Sequence, residues 1–308
     1  MNTSLVGYTG FVGSNLVSSH PFSFCYNSKN ISEAFGQNPD LLVFAGIRAE
    51  KYIANQEPDK DLQIVKEAFH NIKKISPKQL VLISTVDVYP VPSLVDEDSV
   101  ICEERLSPYG YDRRLLEKWV LDAYPSALIV RLPGLFGQNL KKNFIFDLIR
   151  IIPSALTAQK YAELSLQSDL LADFYSPDGH GFLRCRPLTD QETALLKQEF
   201  LRLGFTALHF TDSRAQFQFY NLSHLWEHIQ TALSHRISIL NLSTEPLTVS
   251  EIYGYLMHTE FINEIPDRAI PSYDFRTKYA ACFGGKDGYI YTKETVLNEI
   301  KQFVENKQ

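Results

Sequence analysis

The sequence predicts an α/β protein: a Rossmann-type doubly wound parallel sheet with a smaller, interleaved C-terminal lobe. Three observations carry this. Short apolar runs alternate with helical stretches through the first half. A glycine triplet stands at the first strand–helix junction. After about residue 150 the alternation breaks and a differently patterned segment begins.

The first strand ends at Leu5–Val6, followed by the turn of residues 7–13 and a helix over residues 11–19. Residues 21–26 form a second short apolar run. Residues 40–45 (DLLVFA) and 79–84 (QLVLIS) are apolar without alternation, as strands buried on both faces are. Between them residues 59–75 put Leu62, Val65, Phe69 and Ile72 on one helical stripe. A helix over 113–123 and a strand over 127–132 (ALIVRL) complete this half. Beyond it, residues 154–176 read as helical and 176–181 (SPDGHG) as a turn. Thr189 or Asp190 caps a helix reaching Leu203, with Gly204 past its end. Residues 216–220 and 237–242 are strands, Ser223 caps a helix to Leu233, and residues 248–257 and 293–304 are helices. The expected division is 1–153 plus about 211–245 for the sheet domain, and about 154–210 with 246–308 for the smaller lobe.

The chain has 308 residues, 44% hydrophobic and 21% charged, with net charge −6. That is enough to bury a substantial core. No basic block suggests a nucleic-acid partner. No apolar run reaches the length of a membrane span, and the N-terminus lacks a basic-then-apolar signal, so a cytoplasmic protein is expected. Cys25, Cys102, Cys185 and Cys282 are scattered, without a C-x-x-C pair, and suit reduced thiols. No metal is expected, and His180 as a lone histidine is no evidence for one.

Gly7, Gly10 and Gly13 follow a strand and open a helix. The first permits a tight turn, the second lets backbone N–H groups approach a pyrophosphate, and the third lets helix and strand pack closely. Phe11 and Val12 lie in the same turn. An acid at the end of the second strand would hold ribose hydroxyls, but Tyr26-Asn27-Ser28-Lys29-Asn30 contains none. Asn27, Ser28 and Lys29 suit a 2′-phosphate, or form a plain solvated turn. Arg48 is a second candidate for such a phosphate.

These residues resemble the extended short-chain dehydrogenase/reductases, the NAD-dependent epimerase/dehydratase group. Val43-Phe44-Ala45-Gly46, Ile83-Ser84-Thr85-Val86-Asp87-Val88-Tyr89, Pro108-Tyr109-Gly110-Tyr111-Asp112-Arg113 and Arg131-Leu132-Pro133-Gly134-Leu135-Phe136-Gly137 match its motifs in order. The likeness is good over residues 1–145, absent over 155–210 and loose from about 210.

The resemblance implies NAD or NADP as cofactor and a nucleotide-linked sugar as substrate. It implies Tyr109 as the acid/base, Thr85 as the hydroxyl that polarises the substrate oxygen, and Asp87 as a possible base. Ala45, Gly46, Ser84 and Pro133 fall at cofactor positions. The family's lysine four residues after the tyrosine is here Arg113, permanently charged but differently shaped. The Asp–Glu pair of the 4,6-dehydratases is here Val86-Asp87, which argues against a standard dehydratase. On the substrate side Gly134 replaces a common Asn, Arg214 stands near the place of a diphosphate-binding arginine, and Asn143 with Lys142 follows the last motif. Family members often dimerise beside the tyrosine motif, where Leu115, Leu116, Trp119 and Val120 supply apolar surface. Two competing expectations are a non-catalytic dinucleotide-binding sensor or assembly subunit, and a reductase of a non-sugar carbonyl.

Overall fold

The computed structural model describes residues 2–179 and 181–307, with the side chain of Ile53 left aside; the His180 reading lies outside the described residues. The sheet domain runs β1 (Thr3–Val6), α1 (Phe11–Ser19), β2 (Phe24–Tyr26), β3 (Leu41–Phe44), α2 (Lys51–Gln56), α3 (Pro58–Ile75), β4 (Gln79–Thr85), α4 (Pro108–Ala123) and β5 (Leu128–Leu132). Next come β6 (Gly134–Phe136), α5 (Phe144–Arg150), β7 (Ala155–Thr157), α6 (Ala158–Ser165), β8 (Tyr175–Pro177), β9 (Phe182–Cys185) and α7 (Asp190–Arg202). The chain then forms β10 (Gln216–Phe217), β11 (Phe219–Asn221), α8 (Leu225–Ser234), β12 (Ile239–Asn241), β13 (Leu247–Thr248), α9 (Val249–Met257) and α10 (Lys293–Glu305).

Six strands pair in the order β2-β1-β3-β4-β5-β12, every pair parallel. The doubly wound sheet is therefore present. Residues alternate between its two faces. Leu5, Val43, Val81 and Val130 pack with Leu16 of α1 and Leu225 and Ile229 of α8. Val6, Leu42, Leu80, Leu82 and Ile129 pack with Val65 and Ile72 of α3 and Leu116 and Val120 of α4. The chain order reverses between β1 and β3, and in such sheets ligands lie at that crevice, beyond the strands' carboxyl ends.

A third apolar cluster joins α5 to α9 and α10 through Phe144, Leu148, Ile252 and Ile300. A fourth, with Ile152, Leu156, Leu171, Tyr175, Leu196 and Phe200, fills the segment between α5 and α7.

Several local expectations change. Residues 154–176 are not one helix: β7, β8 and β9 form an antiparallel sheet around the short α6. Aromatic Phe174 and Tyr175 serve that sheet and its cluster rather than a helical stripe. The helix of the tyrosine motif begins at Pro108, five residues earlier than its apolar pattern, because Ser107 accepts the Gly110 N–H and Pro108 is tolerated in the first turn. Asn221, not Ser223, provides the cap ahead of α8, accepting the Ser223 N–H across a short 3-10 turn. Residues 216–220 divide into β10 and β11, which pair with different strands. The Thr189 cap is present as a full capping box with Glu192, and Gly204 takes φ +65° beyond α7. All four cysteines are free. Leu116 and Val120 face the sheet and Trp119 leans on Phe69, so most of the surface expected for a dimer contact lies in the protein's own core.

A buried ion pair ties α4 to the sheet. Glu117 and Arg131 are 0% and 1% exposed. Glu117 accepts from Arg131 Nε at 3.0 Å and Nη2 at 2.6 Å, and from the Ser84 hydroxyl at 2.6 Å. Arg131 also donates to the Tyr89 hydroxyl at 2.7 Å. Burial works against the Arg131 charge, but Glu117 and Tyr89 hold it firmly protonated. Removing one partner strands the other charge. Glu117→Ala should therefore lower the unfolding free energy by about 3–5 kcal/mol, read from urea denaturation.

Candidate functional site

The site lies where β1, β3 and β4 end. Gly7 has φ +94°, a conformation glycine adopts without strain. A Cβ there would come within 2.3 Å of the Ala45 carbonyl oxygen, and one on Gly13 within 2.1 Å of the Gly7 carbonyl oxygen. Both glycines are thus required by backbone contact. Gly10 differs: its added Cβ would meet only the Gly7 carbonyl oxygen, at 3.3 Å, and the residue is exposed. Gly10 precedes α1, whose first turn has no side-chain cap. The open backbone N–H groups and the helix dipole suit an anion the size of a diphosphate. Phe11 and Val12 are half-buried beneath this turn.

The end of β2 closes on itself. Asn30 Oδ1 accepts the Asn27 N–H at 2.8 Å and Asn27 Oδ1 accepts the Lys29 N–H at 2.9 Å. Ser28 and Lys29 are left exposed at its rim. Beyond β3, Ala45 is half-buried and Gly46 exposed; a Cβ on Gly46 would press within 2.9 Å of Val6.

The Thr85 hydroxyl caps the 3-10 turn Val86–Val88, accepting the Asp87 N–H at 3.2 Å and donating to its carboxylate at 3.4 Å. Asp87 also accepts from Lys51 Nζ at 2.7 Å and from the Tyr273 hydroxyl at 3.4 Å. The backbone around Tyr273 is clamped near this turn by Leu94 N–H to Asp274 O, 2.6 Å, and Asp274 N–H to Pro92 O, 2.8 Å. Gly110 brings α4 against the same turn: a Cβ there would fall 2.3 Å from the Asp87 carbonyl oxygen. Tyr109, one residue earlier, is therefore set beside Asp87. Its ring is 5% exposed, its N–H donates to Asn55, and its hydroxyl makes no hydrogen bond among the described residues. Burial, with Asp87 and Asp61 adding to it, raises the Tyr109 phenol above its ordinary value, against Arg113 and Lys51. Burial opposes the Lys51 charge, yet Asp87 and Tyr273 hold that ammonium above its ordinary value.

Arg113 does not project freely into the site. It pairs with both carboxylate oxygens of Asp61, at 2.5 and 3.2 Å, and donates to the Arg48 carbonyl at 2.9 Å. Its guanidinium stacks 4.3 Å from the centre of the Tyr109 ring. It therefore stays beside the tyrosine, but as half of a buried ion pair. Arg48 contributes this carbonyl, while its side chain is exposed.

Other expected residues have structural partners. The Ser84 hydroxyl donates to the buried Glu117 carboxylate at 2.6 Å. Gly134 pairs in β6; a Cβ would come within 2.8 Å of the Gln218 carbonyl, so no larger residue reaches out from there. Pro133 is half-buried between β5 and β6. Asn143 has φ +103° and caps α5, accepting the Phe146 N–H and donating to Leu135 O at 2.8 Å. Lys142 bridges to the Ala49 carbonyl at 2.7 Å, linking the segment after β6 to the one after β3. Arg214 is held by Asp212, at 2.9 and 2.8 Å, and by Glu264 at 2.9 Å. It is thus neutralised rather than poised for a phosphate. Phe217 instead stacks on Tyr273, with centroids 5.8 Å apart.

Sequence reasoning missed Lys51, Asp61 and Tyr273. Lys51 and Asp61 come from two helices that return over the strand ends, and Tyr273 from a loop more than 150 residues beyond Tyr109. No local spacing connects them.

No family model matches the chain, and no curated protein does. Solved structures do match. The UDP-glucose 4-epimerase of Thermotoga maritima with UDP-glucose aligns at TM-score 0.64 and 12% identity, over 99% of this chain and 98% of that one. The Bordetella bronchiseptica enzyme WbmG with NAD and UDP aligns at 0.65 and 14%, over 99% and 94%. A dTDP-4-dehydrorhamnose reductase of Yersinia enterocolitica aligns at 0.64 and 12%, over 99% of each. The chain therefore has the Rossmann-type α/β fold of these proteins along its whole length. No helix among the described residues is long and apolar enough to cross a membrane.

Two predictions follow from the glycine and carboxylate contacts. Gly13→Ala should lower the melting temperature by ten degrees or more, whereas Gly10→Ala should stay within about three degrees, by calorimetry. Asp112, buried beside Asp61, is raised to about 7, by burial first and then by Asp61, against Arg113. The folded protein thus holds a proton that the unfolded chain, with the ordinary aspartate value near 4, gives up. This contribution is complete below about pH 4 and is lost as pH rises through about 7. Asp112→Asn should flatten that fall in melting temperature across the window.

Proposed function

We propose that this chain is a member of the extended short-chain dehydrogenase/reductases: an NAD- or NADP-dependent enzyme that modifies a nucleotide-linked sugar. One observation carries the reading: the open Gly10 turn after β1 and the Thr85–Asp87 turn after β4, with the unbonded Tyr109 hydroxyl set beside it, stand at the same carboxyl-end edge of the parallel sheet. The neighbours solved with NAD, UDP and UDP-glucose support it.

Gly7, Gly10, Phe11, Val12 and Gly13 would hold the pyrophosphate, and Ala45, Gly46 and Pro133 would line the nicotinamide half. Ser28 and Lys29, exposed after β2, would meet a 2′-phosphate. The bound dinucleotide would exchange a hydride with a sugar carbon. Tyr109 transfers the matching proton at that carbon's oxygen. Thr85 orients the same oxygen, and Asp87 fixes Thr85 and Lys51. Val86-Asp87 stands in place of the Asp–Glu pair that the resemblance gives the 4,6-dehydratases, which favours an epimerase or keto-sugar reductase over a dehydratase. Lys142, bonded to the Ala49 carbonyl, and Tyr273, bonded to Asp87 and stacked on Phe217, would line the substrate end.

The catalytically silent alternative draws on Arg113, whose pairing with Asp61 removes the free cation that normally assists such a tyrosine. A change in absorbance at 340 nm with any nucleotide sugar or simple ketone excludes it.

Tyr109→Phe should lower turnover at least a hundredfold over a nucleotide-sugar panel while the dinucleotide dissociation constant changes less than threefold. Undiminished turnover would remove Tyr109 from the chemistry. Lys29→Glu should weaken NADP about tenfold relative to NAD in titration calorimetry, the size of one charged contact.

A further inference from the structure

The segment after β6 is fastened at both flanks. Gln138 exchanges two hydrogen bonds with Asn15 of α1: Asn15 Nδ2 donates to Gln138 O, and the Gln138 N–H donates to Asn15 Oδ1, each at 2.9 Å. Asn15 is buried, and a Cβ on Gly137 would fall 2.6 Å from its Oδ1, so this anchor is closely packed. Asn143 closes the base of the segment by donating to Leu135 O. On the other flank Lys142 Nζ donates to the Ala49 carbonyl at 2.7 Å. The two anchors belong to opposite faces of the sheet. Leu16 of α1 packs on one face; the chain after Ala49 leads through α2 into α3, whose Val65 and Ile72 pack on the other. Residues 138–142 therefore cross the carboxyl-end edge of the sheet, from the helix that follows β1 to the segment that follows β3.

The two fastenings differ in kind. The Asn15–Gln138 pair is reciprocal and buried on its α1 side. The Lys142 bond is exposed, and among the described residues no carboxylate pairs with this ammonium. Resting on the functional reading above, we propose that residues 138–142 form a strap across the dinucleotide crevice, clasped by Lys142 on the Ala49 carbonyl. A diphosphate entering beneath the strap draws the ammonium from Ala49 to itself, because it offers a full opposite charge where the carbonyl offers only a dipole. The clasp thus opposes entry, and the same lysine then holds what has entered. The Lys142 flank is the one that swings, since the Asn15 flank is packed. A dinucleotide and a nucleotide-linked sugar both carry a diphosphate, and the experiment tells them apart.

The clasp is read first in the protein without added ligand, by 15N relaxation. The amides of residues 139–142 should show order parameters near the rigid value of about 0.85, and Lys142→Met should lower them toward about 0.6. Lys141→Met, at the exposed neighbour, removes the same charge without touching the clasp and should leave them unchanged. Binding is read next, by stopped flow with reduced dinucleotide and, separately, with UDP. Lys142→Met should speed dinucleotide association about threefold, the strength of one exposed hydrogen bond. It should also speed dissociation of the diphosphate that the lysine holds about tenfold, the size of one charged contact. An effect on the dinucleotide assigns that diphosphate to the cofactor, and an effect on UDP alone assigns it to the substrate. Lys141→Met should change no rate by more than about twofold. A lysine that only steers anions would slow association when removed. Slower association, unaltered order parameters, or unaltered dissociation of both ligands would each overturn the proposal. The functional reading fails separately: order parameters that respond, in a protein that binds no dinucleotide, remove the enzyme and leave the clasp. Dinucleotide binding with order parameters that do not respond removes the clasp and leaves the enzyme.

Discussion

The position of Tyr109 depends on a carboxylate two helical turns away. Glu117, on the same helix, is locked to Arg131 of β5 and Ser84 of β4 with no access to water. Charges buried this deeply are tolerated only when paired with good geometry. The lock fixes both the height and the rotation of α4 over the sheet. Gly110 then lets the first turn of that helix touch the Asp87 backbone. Thr85 and Lys51 both bond to the Asp87 carboxylate of that same turn.

The main sheet could be read from the sequence because its strands are buried on both faces. Continuous apolar runs such as QLVLIS leave little choice of element, and glycines that must touch backbone leave little choice of turn. The segment after residue 150 was harder. Its strands are three or four residues long, with Phe and Tyr spaced much as they would be on a helix, and antiparallel pairing among β7, β8 and β9 decided the outcome. Propensity over so short a window is easily overruled by tertiary contact.

The site was legible in part for a related reason. Tyr109, Thr85 and the glycine turn follow strand ends or open helices, places that local spacing marks. The partners that set their charge do not. Asp61 lies mid-surface on α3 in the linear pattern, yet it meets Arg113 within a buried pair. Arg214 shows the opposite failure: its place in the sequence suggested a ligand, but Asp212, two residues earlier, already satisfies it. A charged residue is assigned a role safely only when its neighbours in space are known.

The sheet ends at β2, next to the glycine turn, with no further strand outside it among the described residues. A bare edge invites pairing with another chain. Here the edge strand is three residues long and gives way at once to the Asn27–Asn30 turn, with Lys29 exposed beyond it. Such a short, charge-capped border offers a foreign strand too little ladder to grip. The opening beside the turn can thus stay accessible to a small molecule without becoming a seed for aggregation.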